Sequence, residues 1–443
     1  MTRHEELVEA TLALIAGRAD AEVYTDVGTS SLTRFANSFI HQNVSEDAVE
    51  VALKVAIDGR VSSSTTTDTT PEGLAAFVDA VIETAAQQPV DHEWPGIGDP
   101  ADYAIVDHWD EATADADPVD RALAVKAFVD AGDGMLAAGF CQTESRGHAF
   151  GNSDGVRVSG RFTTAAIDGI QQSPTSAGSG HAAGSKIGAL GAGTVGALAT
   201  QRARDGARPF DAKPGEYEVV LSPECVSTIG IFLNAYGFNA KTAQEGMSFA
   251  ELGSQQFDES VSIWDDATDQ RALYVPFDVE GTPKRRTDLV MGGVTRSLLH
   301  SRRTAAKAGV ASTGHAVPGG DVFGPFAMNM FIDGGASSVD ALISDVERGI
   351  YVSTFNYCRV LDPKSLVVTG LTRNGTFMIE NGRITGALTN LRFTQSFISA
   401  LGPGNVLGIG DDARFADSEF GPLLVHAPSM RLASWNFTGG AEG

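Results

Sequence analysis

Residues 49–59 read Val-Glu-Val-Ala-Leu-Lys-Val-Ala-Ile-Asp-Gly. Val49, Val51, Leu53, Val55 and Ile57 occupy every second position, the period of a strand with one buried face. Asp58-Gly59 supplies the turn of a hairpin, whose central residues need positive φ. Strand-like runs at 22–27 and 31–36 precede this segment, and helices flank it. Thr2 and Glu5 have capping-box spacing ahead of Leu7, Ala10, Thr11 and Leu14, which share a face. Thr70-Pro71 opens a second helix, in which Leu74, Phe77, Val78 and Val81 recur at i, i+3, i+4 and i+7. Helix, antiparallel strands and helix predict an α+β domain over residues 1–90.

Beyond it, residues 91–212 are expected to form an acidic linker and a middle domain. Residues 91–120 carry ten acidic side chains and neither Lys nor Arg, without Ca²⁺-loop spacing, and read as a solvated linker. Asp117-Pro118 opens a helix expected to reach about Ala138, and Asp154-Gly155 turns between strands around 152–162. The Gly/Ala/Ser-rich tract 169–200 reads either as a small-residue helix that packs closely or as a lid. Residues 213–443 are expected to form a strand-rich C-terminal domain, barrel-like or a twisted sheet. In it 217–221 is a strand, and Ser222-Pro223 starts a helix. Ser337 or Ser338 caps another helix through Glu347, and Asn381-Gly382 joins the runs 376–380 and 384–388. The fold class is α+β throughout.

The chain of 443 residues has 32 Lys+Arg against 56 Asp+Glu, a formal charge of −24. Such a field repels phosphates, so nucleic acid is not an expected partner. No stretch of 18 apolar residues occurs, and the N-terminus has no apolar signal core, so a cytoplasmic protein without a membrane segment is expected. Cys141, Cys225 and Cys358 are odd in number and widely spaced, which speaks against a disulfide framework.

Nine histidines are present, but no two lie within five residues, so no helical face presents a His pair to a metal. His92-Glu93 is followed by Pro95 and Gly96, which break the helix that H-E-x-x-H requires. There is no G-x-S-x-G elbow, and Gly408-Ile409-Gly410 is followed by Asp411-Asp412, which would repel phosphate. Cys225, at the start of a predicted helix, and Cys358 are open to two readings: a buried structural thiol or a nucleophile.

Several segments together resemble the TldD/PmbA family of peptidase-associated proteins. They are 34–42 (Arg-Phe-Ala-Asn-Ser-Phe-Ile-His-Gln), 152–155 (Asn-Ser-Asp-Gly), 298–309 (Leu-Leu-His-Ser-Arg-Arg-Thr-Ala-Ala-Lys-Ala-Gly) and 312–316 (Ser-Thr-Gly-His-Ala). Asn329 within 327–331, Gly349 to Val352 and 377–382 follow in the same order. The resemblance implies a TldD type of subunit, with an H-E-x-x-x-H zinc pair, and a PmbA (TldE) type without it. At the corresponding positions this chain carries Leu233, Asn234 and Phe238. Leu and Phe offer Zn²⁺ no lone pair, and Asn is not a base at neutral pH. The chain departs from PmbA-like chains at 353–358, where they usually have a glycine-rich stretch.

The resemblance therefore implies a PmbA/TldE-like, non-catalytic subunit of a TldD-type zinc metalloprotease complex acting on unfolded peptides, as a hetero-oligomer or homodimer. No metal or other cofactor is expected in this chain, and zinc is expected in the TldD-type partner. His300, Arg302, Arg303, Thr304 and Asn329 are candidate contacts for peptide or partner. Two alternatives stand beside this reading: a regulatory protein-binding module of the gyrase-modulator type, and an independent thiol hydrolase using Cys225 or Cys358.

Overall fold

Helix α1 (Arg3–Ile15) leads into the strands β1 (Asp20–Ala36), β2 (Phe39–Ile57) and β3 (Arg60–Thr66), followed by α2 (Pro71–Gln87). The computed structural model describes residues 1–104 and 106–440. Asp58 and Gly59 turn the β2–β3 hairpin at φ 50° and 75°. The alternation read in β2 buries Val51, Leu53 and Val55, each at most 1% exposed. Helices α1 and α2 cover that face with Leu7, Val8, Leu12, Ile15, Leu74, Val78 and Val81. Thr70 caps α2 by accepting from Gly73 N at 3.1 Å.

The acidic segment holds the short helix α3 (Glu111–Ala114) and leads to α4 (Pro118–Asp130). Helix α4 stops well before Ala138. Gly132 and Gly134 interrupt the chain, with Asp133 at φ 48° and Gly134 at φ 83°. Leu136–Asn152 is instead a strand, β4, which pairs with β1 along almost its whole length. With β5 (Arg157–Gln172) and β6 (Ala177–Gly184) it completes one six-stranded sheet in the order β3-β2-β1-β4-β5-β6. This sheet takes strands from both sides of the 91–135 segment.

The glycine-rich tract is no lid: it contributes β6 and much of the small-residue helix α5 (Ala192–Asp205). Their backbones nearly touch. A Cβ on Gly178 would lie 2.1 Å from Ala199 O, and one on Gly180 would lie 2.4 Å from Val195 O. Only glycine fits there.

Downstream, β7 (Gly215–Leu221) lies between strands Met430–Gly440 and Arg348–Val352 in a nine-stranded sheet. A smaller six-stranded sheet contains Ile263–Asp265, Met330–Ile332 and Arg414–Ala416. The C-terminal region is strand-rich as expected, but its sheets stay open, and the barrel alternative does not hold. Asn381 and Gly382 form the anticipated turn at φ 48° and 75°. Ser338 caps its helix through Ala341 N at 3.2 Å, and that helix ends at Ser344 rather than Glu347.

Helix α6 (Pro223–Leu233) is buried at every residue. Ser222 stands at its N-cap, yet its Oγ donates to Ser353 O at 2.6 Å instead of capping. The helix does not continue regularly to Phe238. Residues Asn234–Phe238 widen into a π turn before the short helix α7 (Ala240–Gln244). Among the described residues no helix is long and apolar enough to cross a membrane.

Candidate functional site

The π turn and the 298–316 segment meet in space. Leu299 N donates to Phe238 O at 2.7 Å, and Ala240 N donates to Leu299 O at 3.1 Å. The turn is thereby stitched to the stretch that carries His300 and helix α8 (Arg302–Ala308).

Leu233, Asn234 and Phe238 are all fully buried. Phe238 packs against Phe249, with ring centroids 5.9 Å apart, and Leu233 belongs to the same large apolar core. Asn234 Nδ2 donates to Ala327 O at 2.9 Å, and Asn234 Oδ1 accepts from Ala327 N at 3.1 Å. Both ends of the amide are thus committed to backbone. The three side chains supply packing and one backbone clamp, with no group able to bind a cation or remove a proton from water.

His300 begins a buried polar chain. Its backbone N donates to Thr313 Oγ1 at 2.7 Å, and the same hydroxyl lies 2.8 Å from His315 Nδ1. His315 Nε2 lies 3.0 Å from Asp265 Oδ2, whose Oδ1 accepts from Asn329 N at 2.7 Å. Asn329 Oδ1 then accepts from Leu273 N and Tyr274 N at 3.0 and 3.1 Å. Burial lowers the His315 pKa against the opposing pull of Asp265. Burial works to raise the Asp265 pKa, but His315, Lys284 and the Asn329 N–H together outweigh it and hold the carboxyl below its ordinary value. A His–Asp pair of this kind can orient a nucleophile. Here the second ring nitrogen faces Thr313, whose hydroxyl also donates to His300 O at 3.2 Å. The chain therefore fixes loops.

Ser301 caps α8 by accepting from Thr304 N at 3.3 Å, and Thr304 O in turn accepts from Gln244 Nε2 at 2.7 Å. Arg302 leaves the first turn and reaches across to the N-terminal sheet. Its guanidinium pairs with Glu22 of β1 and donates to Gly96 O at 3.1 Å, while its backbone N donates to Glu280 Oε2 at 2.8 Å. Burial raises the Glu22 pKa, and Arg302 opposes that rise. Arg303 forks onto Asp91, with Nη1 3.2 Å from Oδ1, and Lys307 Nζ lies 3.6 Å from Glu93. The basic cluster is thus paired with carboxylates of its own chain. Beside it lies a cavity of about 470 Å³ lined by Glu22, Lys54, Glu280, Ser301, Ala316 and Asp321 among others.

The structure brings His300 and Asn329 into one network and commits Arg302 and Arg303 to separate carboxylates, with Thr304 beside them in the first turn of α8. Asp265 and Glu280, on which these networks close, were not signalled in the sequence. Each is one acidic residue in a locally unremarkable run, and only the fold supplies its partner.

Cys225 and Cys358 are buried, and burial pushes both thiols up. Cys225 Sγ donates to Val352 O at 3.5 Å. A thiol kept neutral is a poor nucleophile. The geometry gives the thiol-hydrolase alternative no support.

An α+β chain with this sheet arrangement shares its fold with TldE from Thermococcus kodakarensis, at TM-score 0.87 and 15% identity over 98% of this chain and 99% of that one. It likewise superposes on a Thermotoga maritima protein described as a candidate modulator of a DNA gyrase, at TM-score 0.85 and 18% identity over 98% and 100%. The model of the PmbA/TldA metallopeptidase C-terminal domain matches residues 214–439, just over half of the chain, and the chain belongs to this family. A metalloprotease of Methanothermobacter thermautotrophicus is 30% identical over 206 residues, 45% of this chain and 44% of that one. A TldD-homologous metalloprotease of Buchnera aphidicola is 24% identical over 248 residues, 52% and 49% of the two chains. These matches span about half the length of the relatives, or slightly less.

Proposed function

We propose that this chain is the non-catalytic, PmbA/TldE-like subunit of a zinc metalloprotease complex whose metal is held by a TldD-type partner. The observation that carries the reading is the state of residues 233–238. Asn234 spends both ends of its amide on Ala327, and Leu233 and Phe238 are sealed in the core. A zinc peptidase needs a metal, an activated water and a general base, and this helix end supplies none of them. The partner would activate water, and this chain would help enclose unfolded peptide. A cytoplasmic location fits three free, buried cysteines.

The test is a peptide-cleavage assay on an unfolded substrate with this chain, a TldD-type protein of the same organism, and both together. Cleavage should require the TldD-type protein, rise when both are present, and stop with a chelator. Cleavage by this chain alone would overturn the assignment.

A further inference from the structure

A second cluster lies at the opposite end of α6 from Leu233 and Phe238. Asp168 of β5 and His181 of β6 are direct cross-strand partners, so both side chains project from the same face of the sheet. That face is fixed by β6 itself. Gly178 and Gly180 abut α5, which turns Ser179 and His181 the other way, toward the C-terminal region. There Ser179 Oγ lies 3.1 Å from Thr354 Oγ1. Asp417, just after strand Arg414–Ala416, approaches from that side. One ligand atom from each of Asp168, His181 and Asp417 lies within 4.8 Å of the others.

The imidazole is the informative group. The His181 side chain is 3% exposed, and neither ring nitrogen has a hydrogen-bond partner. Nδ1 stands 3.4 Å from Asp168 Oδ2, without hydrogen-bond geometry. A buried imidazole whose Nε2 has no partner and whose Nδ1 has only that long contact is costly, and such groups ordinarily find a partner. It faces a cavity of about 540 Å³ that also holds Glu224, whose Oε2 is unpartnered as well. Of the cations around it, Arg373 lines the same cavity, and Arg202 and Arg414 are committed to other partners. Arg202 donates to Ser179 O at 2.9 Å and to Tyr351 Oη at 3.3 Å, and Arg414 pairs with Glu224 Oε1 at 2.7 Å. Two carboxylates and one imidazole thus converge on one side of the cavity.

We propose that Asp168, His181 and Asp417 bind a divalent transition-metal ion that ties the N-terminal sheet to the C-terminal region. Carboxylates alone would suit Mg²⁺ or Ca²⁺, whereas a neutral imidazole among them selects Zn²⁺, Mn²⁺ or Fe²⁺. The cavity leaves room for water to complete the coordination shell. This departs from the expectation that the chain holds no metal. That expectation rested on histidine spacing, and residues 168, 181 and 417 meet only through the fold. The ion would be a fastener between two parts of the chain, in a cavity that meets α6 at Glu224 in its first turn and not at Leu233 at its other end, so the subunit assignment does not depend on it.

The test uses the full-length chain stripped with chelator and titrated calorimetrically with Zn²⁺ and, separately, Mn²⁺. One ion per chain is expected for at least one metal, with a higher melting temperature in the loaded protein. Asp417→Asn and Asp168→Asn, near-isosteric changes at partly exposed residues, should each weaken binding by at least about tenfold and remove the thermal shift. His92→Gln, at an exposed histidine, should leave both unchanged. Co²⁺ loading gives a second readout, because visible bands from protein ligands should be lost in His181→Gln. Absence of one-to-one binding by either metal, or equal affinity in the parent and both Asp variants, overturns the proposal.

Discussion

Asn234 and Ala327 exchange two hydrogen bonds, the side-chain amide of one closing onto the backbone N–H and C=O of the other at 3.1 and 2.9 Å. The pair joins the π turn to the segment leading into strand Met330–Ile332, and it lies wholly inside the core. Replacing Asn234 with Ala leaves both backbone groups of Ala327 buried and unpaired. The expected loss is about 2–4 kcal/mol, read from denaturant unfolding. A loss below 1 kcal/mol would mean that water reaches the turn.

Phe238 makes the corresponding apolar contribution. Its ring packs edge-on against Phe249, which packs likewise against Phe257. Phe238→Ala should cost about 3–5 kcal/mol, and an unchanged melting temperature would exclude the aromatic row as a core element.

Arg302 joins the C-terminal region to β1 through Glu22. Arg302→Ala strands two buried carboxylates, Glu22 and Glu280, and should cost about 3–5 kcal/mol. Adding Glu22→Gln should recover part of this loss, because it removes one of the two uncompensated charges. A double-mutant cycle without coupling would show that the pair contributes nothing specific.

His426 sits between Phe331 and Phe415, with centroid distances of 5.2 and 5.4 Å. Burial, reinforced by Arg271, brings its pKa down from 6.5 to about 4. The unfolded chain therefore binds the proton more readily than the folded one. Stability is fully present above pH 6.5 and is lost as pH falls toward 4, by up to about 3 kcal/mol. His426→Phe should flatten unfolding free energy over that window, whereas an unchanged slope would assign the acid sensitivity to other groups.

All three thiols are buried, and burial pushes Cys141 up to about 12 and the other two upward as well. A thiol reagent at neutral pH should modify none of them rapidly in the native protein and three in denaturant. Fast native labelling of Cys225 or Cys358 would reopen the thiol-hydrolase reading.

What the sequence disclosed follows from where one face of an element is wet and the other dry. The β2 alternation, the Asp58-Gly59 turn and the Thr70-Pro71 start were legible because each is a local rule. Strand β4 was not. Leu136, Ala137 and Ala138 are good helix formers, and only pairing with β5 makes them a strand. In β6, Gly178 and Gly180 erase the periodic signal, because their role is to let a helix backbone approach. The His300–Asn329 network and the Arg302 cluster were half visible: several members stood out in the family-like segments, but Asp265 in the first and Glu280 in the second take their meaning from distant partners.

The π turn at Asn234–Phe238 has a directional consequence. On a regular α-helix, side chains five residues apart diverge by about 140° around the axis, so positions 233 and 238 could not point toward a common object. A π turn, whose hydrogen bond runs from i to i+5, rotates them back into alignment. In this chain the pair so brought together is Leu233 and Phe238, and both enter one apolar core.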